Sequence, residues 1–158
     1  MTTWTKPRNK MTILGFLLLT GCSAAGPKFQ SAPAPAANAS LVYVYRPDSW
    51  QNASLSPAII IDGRERFLLK NNGYSFFYLK PGPHTFALEM SEKYEGYSRI
   101  DLKTEANRSY YIRVDTAMGF GAGITKTFGL VAVREETARE EIKDCRYLDP
   151  KKSALEDS

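Results

Sequence analysis

His84 is the only histidine of the 158-residue chain, so any general base, charge relay or metal site that uses imidazole must be built on it. The cysteines Cys22 and Cys145 and 17 carboxylates complete the candidates for nucleophile, base or ligand. Cys22, His84 and Cys145 lie far apart, so no Cys or His pair stands at the short spacing that zinc sites use. No Gly-x-Ser-x-Gly turn is present to lift a serine toward a base. The stretch Gly119-Phe120-Gly121-Ala122-Gly123 superficially resembles a dinucleotide loop. Such a loop should open a helix inside a parallel βαβ unit, and here it joins two strand-like runs. Glu135, Glu136, Glu140 and Glu141 lie on a helical stretch and read as its solvated face. The expectation is therefore a chain with no catalytic residue, no metal and no cofactor. His84, in phase with Phe86, Leu88 and Met90 just after Pro81-Gly82-Pro83, is expected to begin a strand and to bond a turn carbonyl with its ring. Cys145, alone on an apolar stripe, is expected to be buried as a small hydrophobe; pairing between two molecules is the alternative.

Cys22 invites a different chemistry. The apolar run from Met11 to Leu19 is too short for a spanning helix, which takes roughly 20 residues, and suits the core of a signal peptide at about 7 to 15. Ahead of it stand Lys6, Arg8 and Lys10 with no acid. Leu19-Thr20-Gly21-Cys22 looks like a bacterial lipobox, at which the leader is cut before a cysteine lipidated on sulfur. This resemblance covers residues 1–22. It implies that Cys22 carries the lipid, and Ser23 in the next position implies sorting to the outer membrane, with the protein facing the periplasm.

Removing residues 1–21 changes the charge. The full chain has 21 basic and 17 acidic residues, net +4. Three of the basic residues lie in the leader, so the remainder stands at 18 against 17. A nucleic-acid partner, which needs a clustered basic surface, is not expected. Cys145 would also be the one thiol left, so no intrachain disulfide can form.

Such an anchor needs a body to carry. Residues 22–40, rich in Ala, Pro and Ser, read as a lipidated tether able to hold a domain some tens of ångströms from the bilayer. Residues 149–158 read as a polar, flexible tail. Between them, 41–148 suffice for one domain with one core. Strand-like runs at 41–46, 58–61, 66–70, 74–79, 84–90, 98–104, 109–115 and 126–133 alternate with turn signals, Asp62-Gly63 the strongest. Ala138, Ile142 and Cys145 then fall at i, i+4, i+7, the stripe of a short helix over 134–145. The fold expected is mostly β, an antiparallel β-sandwich with a short C-terminal helix.

The order VYVYRP (42–47), IIIDG (59–63), GYSFFYLKPGPH (73–84), YYIRV (110–114), a last apolar strand and Ala138-x-x-Glu-Ile142 resembles a 2846-type family of small bacterial envelope lipoproteins, a domain of unknown function. The resemblance spans nearly all of 41–148. It implies a transthyretin-like or immunoglobulin-like sandwich in the cell envelope and no particular activity.

Two loops stand out as contact surfaces. Residues 117–124 carry no charge where hairpin tips are ordinarily polar, and present Met118, Phe120 and Ile124 among glycines. Residues 46–57 form a second long loop with one aromatic, Trp50. Both can instead fold back onto the core. The role expected is non-enzymatic: the membrane holds the protein through Cys22 while the sandwich binds an envelope protein or cell-wall component. A multimerising assembly accessory is the second class, and a small hydrolase is the third.

Overall fold

The computed structural model describes residues 23–89, 98–120 and 124–150, and the side chains of 118–126 are not among the features described. The lipobox and Cys22 lie outside the described residues, as do 90–97 and 151–158. The described residues form nine strands, β1 (Ser40–Arg46), β2 (Ala58–Ile61), β3 (Arg64–Leu68), β4 (Gly73–Leu79), β5 (Gly82–Glu89), β6 (Ser98–Thr104), β7 (Ser109–Phe120), β8 (Ile124–Val133) and β9 (Arg146–Tyr147), with one helix α1 (Glu135–Ile142) between the last two. They make two sheets, β8-β7-β1-β4-β9 and β3-β2-β5-β6, packed as an open sandwich.

Strand β1 sits at the centre of the larger sheet and is buried along its whole length. Its even positions, Val42 and Val44, join Ile59, Ile61, Phe67, Phe86, Leu88, Ile112 and Val114 in an aliphatic core between the sheets. Its odd positions, Leu41, Tyr43 and Tyr45, face the other way and pack with Tyr74, Tyr111, Ala138, Ile142 and Cys145 in a second core under α1. Burial on both faces explains why LVYVYR reads as a continuous apolar run and not as an alternation. The expected single core is thus two, one inside the sandwich and one on its outer face.

The larger sheet is mixed. β1 pairs antiparallel with β4 but parallel with β7, and β9 runs parallel to β4. Parallel neighbours need a long connection, and here β2 to β6 lie between β1 and β7. The turn at Asp62-Gly63 has positive φ at both residues, 53° and 74°, as a type I′ hairpin requires. The strands of 109–115 and 126–133 are longer than their polarity patterns suggest. The ladder continues through Ala117↔Thr127 and Gly119↔Thr125 to Phe120↔Ile124, so much of the uncharged stretch is paired backbone.

The segment read as a tether lies against the body. Ser23 bridges Asn71, and Ala24 is buried and donates its N–H to the Asn71 carbonyl at 2.9 Å. The Tyr147 N–H reaches the Pro27 carbonyl (2.8 Å), and the Phe29 N–H reaches that of Cys145 (2.9 Å). The Phe29 ring stands edge-on to Tyr43 and Tyr74, with centroids 5.7 and 5.1 Å away. The Tyr43 hydroxyl accepts from the Ala32 N–H (2.8 Å), and Tyr78 donates to the Pro33 carbonyl (2.8 Å). Ala/Pro-rich composition leaves little side chain to bury, but this strap docks through backbone bonds, and Ala24, Phe29 and Ala32 supply the apolar contacts. It begins beside Asn71, at the end of the sandwich where Arg46 pairs Gly73, and finishes at the opposite end, where the Asn107 N–H bonds the Ala39 carbonyl.

Candidate functional site

The end of the sandwich where β1 stops is built around Arg46. Its side chain is fully buried, and its guanidinium donates from Nη1 to the Leu55 carbonyl (2.7 Å) and from Nη2 to the Asn52 carbonyl (2.8 Å). It also lies over the Phe128 ring, 5.2 Å from the centroid. Nε has no hydrogen-bond partner among the described residues. Burial lowers the Arg46 pKa to about 10, with the Asp48 charge opposing, so the group remains a cation at neutral pH. A buried cation needs compensation, and here the carbonyls of residues 52 and 55 supply it, folding the loop 47–57 over the guanidinium. Asn52, in a left-handed conformation (φ 54°), donates its Nδ2 to the Ala117 carbonyl at 3.3 Å and so ties this loop to β7. Asn71 closes the other side, donating to Asp48 (2.6 Å) and accepting from the Ser49 N–H (3.2 Å).

Trp50 rides on this loop and is 80% exposed, so it is not a lid on the core. Beside it, β7 continues for seven residues past Arg113, the partner of Tyr45, which at ~3.3 Å per residue carries the hairpin roughly 20 Å beyond that rung. Met118, Phe120 and Ile124 are the outermost rungs by register. Ser23 bridges Asn71 at the same end. The fold thus gathers at one pole the loop carrying Trp50, the uncharged hairpin and the residue that follows Cys22. Sequence reasoning found the first two separately. It missed the docking of Ser23 and Ala24, for which the run of small residues Ser23-Ala24-Ala25-Gly26 gives no local signal.

The other candidates are structural ties. His84 Nδ1 lies 2.7 Å from Asp62 Oδ2, and Nε2 lies 2.7 Å from the Lys80 carbonyl. Both partners only accept, so the ring satisfies both bonds when doubly protonated. Burial alone would lower the His84 pKa, but the Lys80 carbonyl and the Asp62 carboxylate outweigh it and raise the value. Burial likewise opposes the shift of Asp62, whose bonds to His84 and the Thr85 N–H hold its pKa below the usual 3.8. The imidazole joins the β2–β3 turn to the β4–β5 turn, the carbonyl bond its position suggested.

Cys145 is buried, 3.5 Å from the Arg46 carbonyl, and burial pushes its thiol up to about 12. A thiol in that state is a poor nucleophile and cannot reach a second molecule. Glu141 departs from the expected solvated face. It accepts from the Tyr45 hydroxyl (2.6 Å) and from Arg113 Nη1 (2.6 Å), fastening α1 to the sheet, whereas Glu135, Glu136 and Glu140 are exposed. Among the described residues no three His, Cys, Asp or Glu side chains could hold a metal ion, and no helix is long and apolar enough to cross a membrane.

Residues 36–127, from the turn before β1 into β8, match a family described as protein of unknown function (DUF2846). The strap before Ala36, helix α1 and β9 lie outside the matched span. No curated protein matches the chain.

Proposed function

The chain belongs to this family of proteins of unknown function, and we propose that it is a lipid-anchored, non-enzymatic binding module of the bacterial envelope. Cys22 carries the lipid, Ser23 sends the protein to the outer membrane, and the sandwich faces the periplasm. Its contact surface is the pole that bears Trp50, Met118, Phe120 and Ile124.

The observation that carries this reading is Trp50. A large aromatic group left 80% exposed on a loop clamped from beneath by a buried cation is pre-ordered surface, and ordered aromatics are the usual anchors of contact sites. The uncharged sequence of 117–124, which begins where Asn52 of this loop bonds the Ala117 carbonyl, supports the same use.

The test has two arms. Cys22→Ser should leave the protein folded but release it from membranes, since each acyl methylene buried contributes ~0.8 kcal/mol and several chains hold firmly. A variant that stays with outer membranes after a high-salt wash would refute lipid as the anchor. Phe120→Asp in the lipidated protein should lose its crosslinked neighbours while the melting temperature barely moves. A large fall in melting temperature would instead make residue 120 part of the core and refute the contact surface.

A further inference from the structure

Three features of different origin share one end of the sandwich. Ser23 is pinned to Asn71 by a backbone bridge, with Ala24 buried behind it. The Asn71 side chain is bonded to Asp48 and Ser49 at the root of the loop that carries the exposed Trp50. The uncharged hairpin, held to that loop through Asn52 and the Ala117 carbonyl, projects from the same end. The residue before Ser23 is Cys22. A lipid there has no free tether between it and the body, because residues 23–33 are spent along the outer face of the larger sheet.

The geometry points to the bilayer surface as the occupant of this pole: the docked strap draws the anchored end of the chain down to the membrane, and Trp50, on the loop rooted at Asn71, rests in its interface. The inference rests on the proposed lipidation of Cys22 and names what the contact surface touches. The chemistry suits it. Tryptophan is favoured at the level of lipid headgroups, where its ring is half apolar and its N–H stays wet. Residues 117–124 bring no charge to be desolvated, and the buried Arg46 offers its charge to loop carbonyls and not outward. The contact made by Trp50 is therefore apolar and should not depend on anionic lipid or on salt. A stand-off module would need the opposite design, an undocked linker and a polar end toward the membrane.

The mature chain carries its own probe. Trp4 precedes Cys22, so Trp50 is the one tryptophan after cleavage. Lipidated protein purified from membranes would be reconstituted into phosphatidylethanolamine–phosphatidylglycerol vesicles containing lipids with brominated acyl chains. The expected result is a blue-shifted Trp50 emission, quenched by the brominated lipid and shielded from iodide, and unchanged when phosphatidylcholine replaces phosphatidylglycerol. Inserting a Gly/Ser spacer of roughly 12 residues after Ser23, about 20 Å as a coil, should restore iodide access and remove the quenching. Trp50 that stays iodide-accessible in protein whose mass shows lipid on Cys22 overturns this inference alone, and so does quenching that survives the spacer. A mature protein without lipid mass, recovered in the soluble fraction, overturns the anchor reading and this inference together.

Discussion

At the end of the sandwich that holds Asp62, the strands finish in tight turns whose polar side chains answer one another. His84 joins Asp62 to Lys80, and Asp62 takes the Thr85 N–H at 3.0 Å. Arg99 and Thr85 both reach Asp101. At the other end the turns give way to a long loop, a long hairpin and an exposed tryptophan, and the loop folds over one buried cation. The first end uses many weak, solvent-screened ties; the second centres its order on Arg46 and leaves Trp50 uncovered. The difference teaches where to look for function. An end whose polar groups are paired among themselves has little to offer a partner. An end that spends a buried charge on ordering a loop keeps that loop in shape for a contact.

Four measurements test that contrast, ordered by the loss of stability expected. Arg46→Ala should cost the most, about 3 to 5 kcal/mol, because it opens a cavity and strands the carbonyls of residues 52 and 55 without donors. Urea unfolding reads it, and a loss under ~1 kcal/mol would mean that the loop holds its shape without the guanidinium. Gly26→Ala comes next, at about 1 to 3 kcal/mol. A methyl there collides with the Tyr147 carbonyl, so the strap must lift. Hydrogen exchange should speed up at the Ala24 and Phe29 amides while Ile112, in the sandwich core, stays protected.

His84→Gln at the opposite end should cost about 1 kcal/mol, since the bonds it loses are partly screened by water. This loss depends on pH. Folding raises the His84 pKa above its ordinary 6.5, so the stabilisation is complete below about pH 6.5 and disappears as the pH climbs through the raised value. Asp62 has the opposite sign: its contribution holds above 3.8 and is lost as the pH falls through its lowered value. The gap between wild type and variant should thus be widest near pH 5 to 6 and narrow as the pH climbs through the raised His84 value. A gap that widens with rising pH would mean that the ring is neutral in the fold. Trp50→Ser should change stability least, within ~0.5 kcal/mol, as an exposed side chain with nothing to unpack does. A drop of several degrees in its melting curve would turn Trp50 into a packing residue and erase the contrast between the two ends.

Alternation carried most of the fold into view. Each of the eight strand-like runs corresponds to a strand, because one face of each meets a core, and the helical stripe Ala138, Ile142, Cys145 is buried as its spacing requires. What stayed hidden depends on distant partners. The two-residue β9 has no period to detect, and the parallel pairing of β1 with β7 is set by packing across the sheet. The second core was signalled only by Leu41, Tyr43 and Tyr45 being as apolar as their neighbours. Trp50 could be singled out from its loop, whereas the link of that loop to Ser23 runs through Asn71, whose carbonyl takes the Ala24 N–H and whose side chain bonds Asp48 and Ser49, and composition cannot report it. The lipobox reading is the reverse case: it rests on sequence alone, and residues 1–22 lie outside the described residues.

The strap also sets an order of events in time. Gly26 accepts from the Arg146 side chain, 120 positions later, and Phe29 closes on the Cys145 carbonyl. A chain that emerges amino end first must keep this segment unpaired until residue 147 has appeared. Contacts so distant in sequence form slowly, and until they do the Phe29 ring and the rings of Tyr43 and Tyr74 beneath it remain uncovered. The last step of folding is then the clasping of residues 26–29 by the strand Arg146–Tyr147 and the residue before it. A chain cut short before Cys145 would keep eight strands yet show an aromatic patch of the kind that chaperones hold and proteases cut.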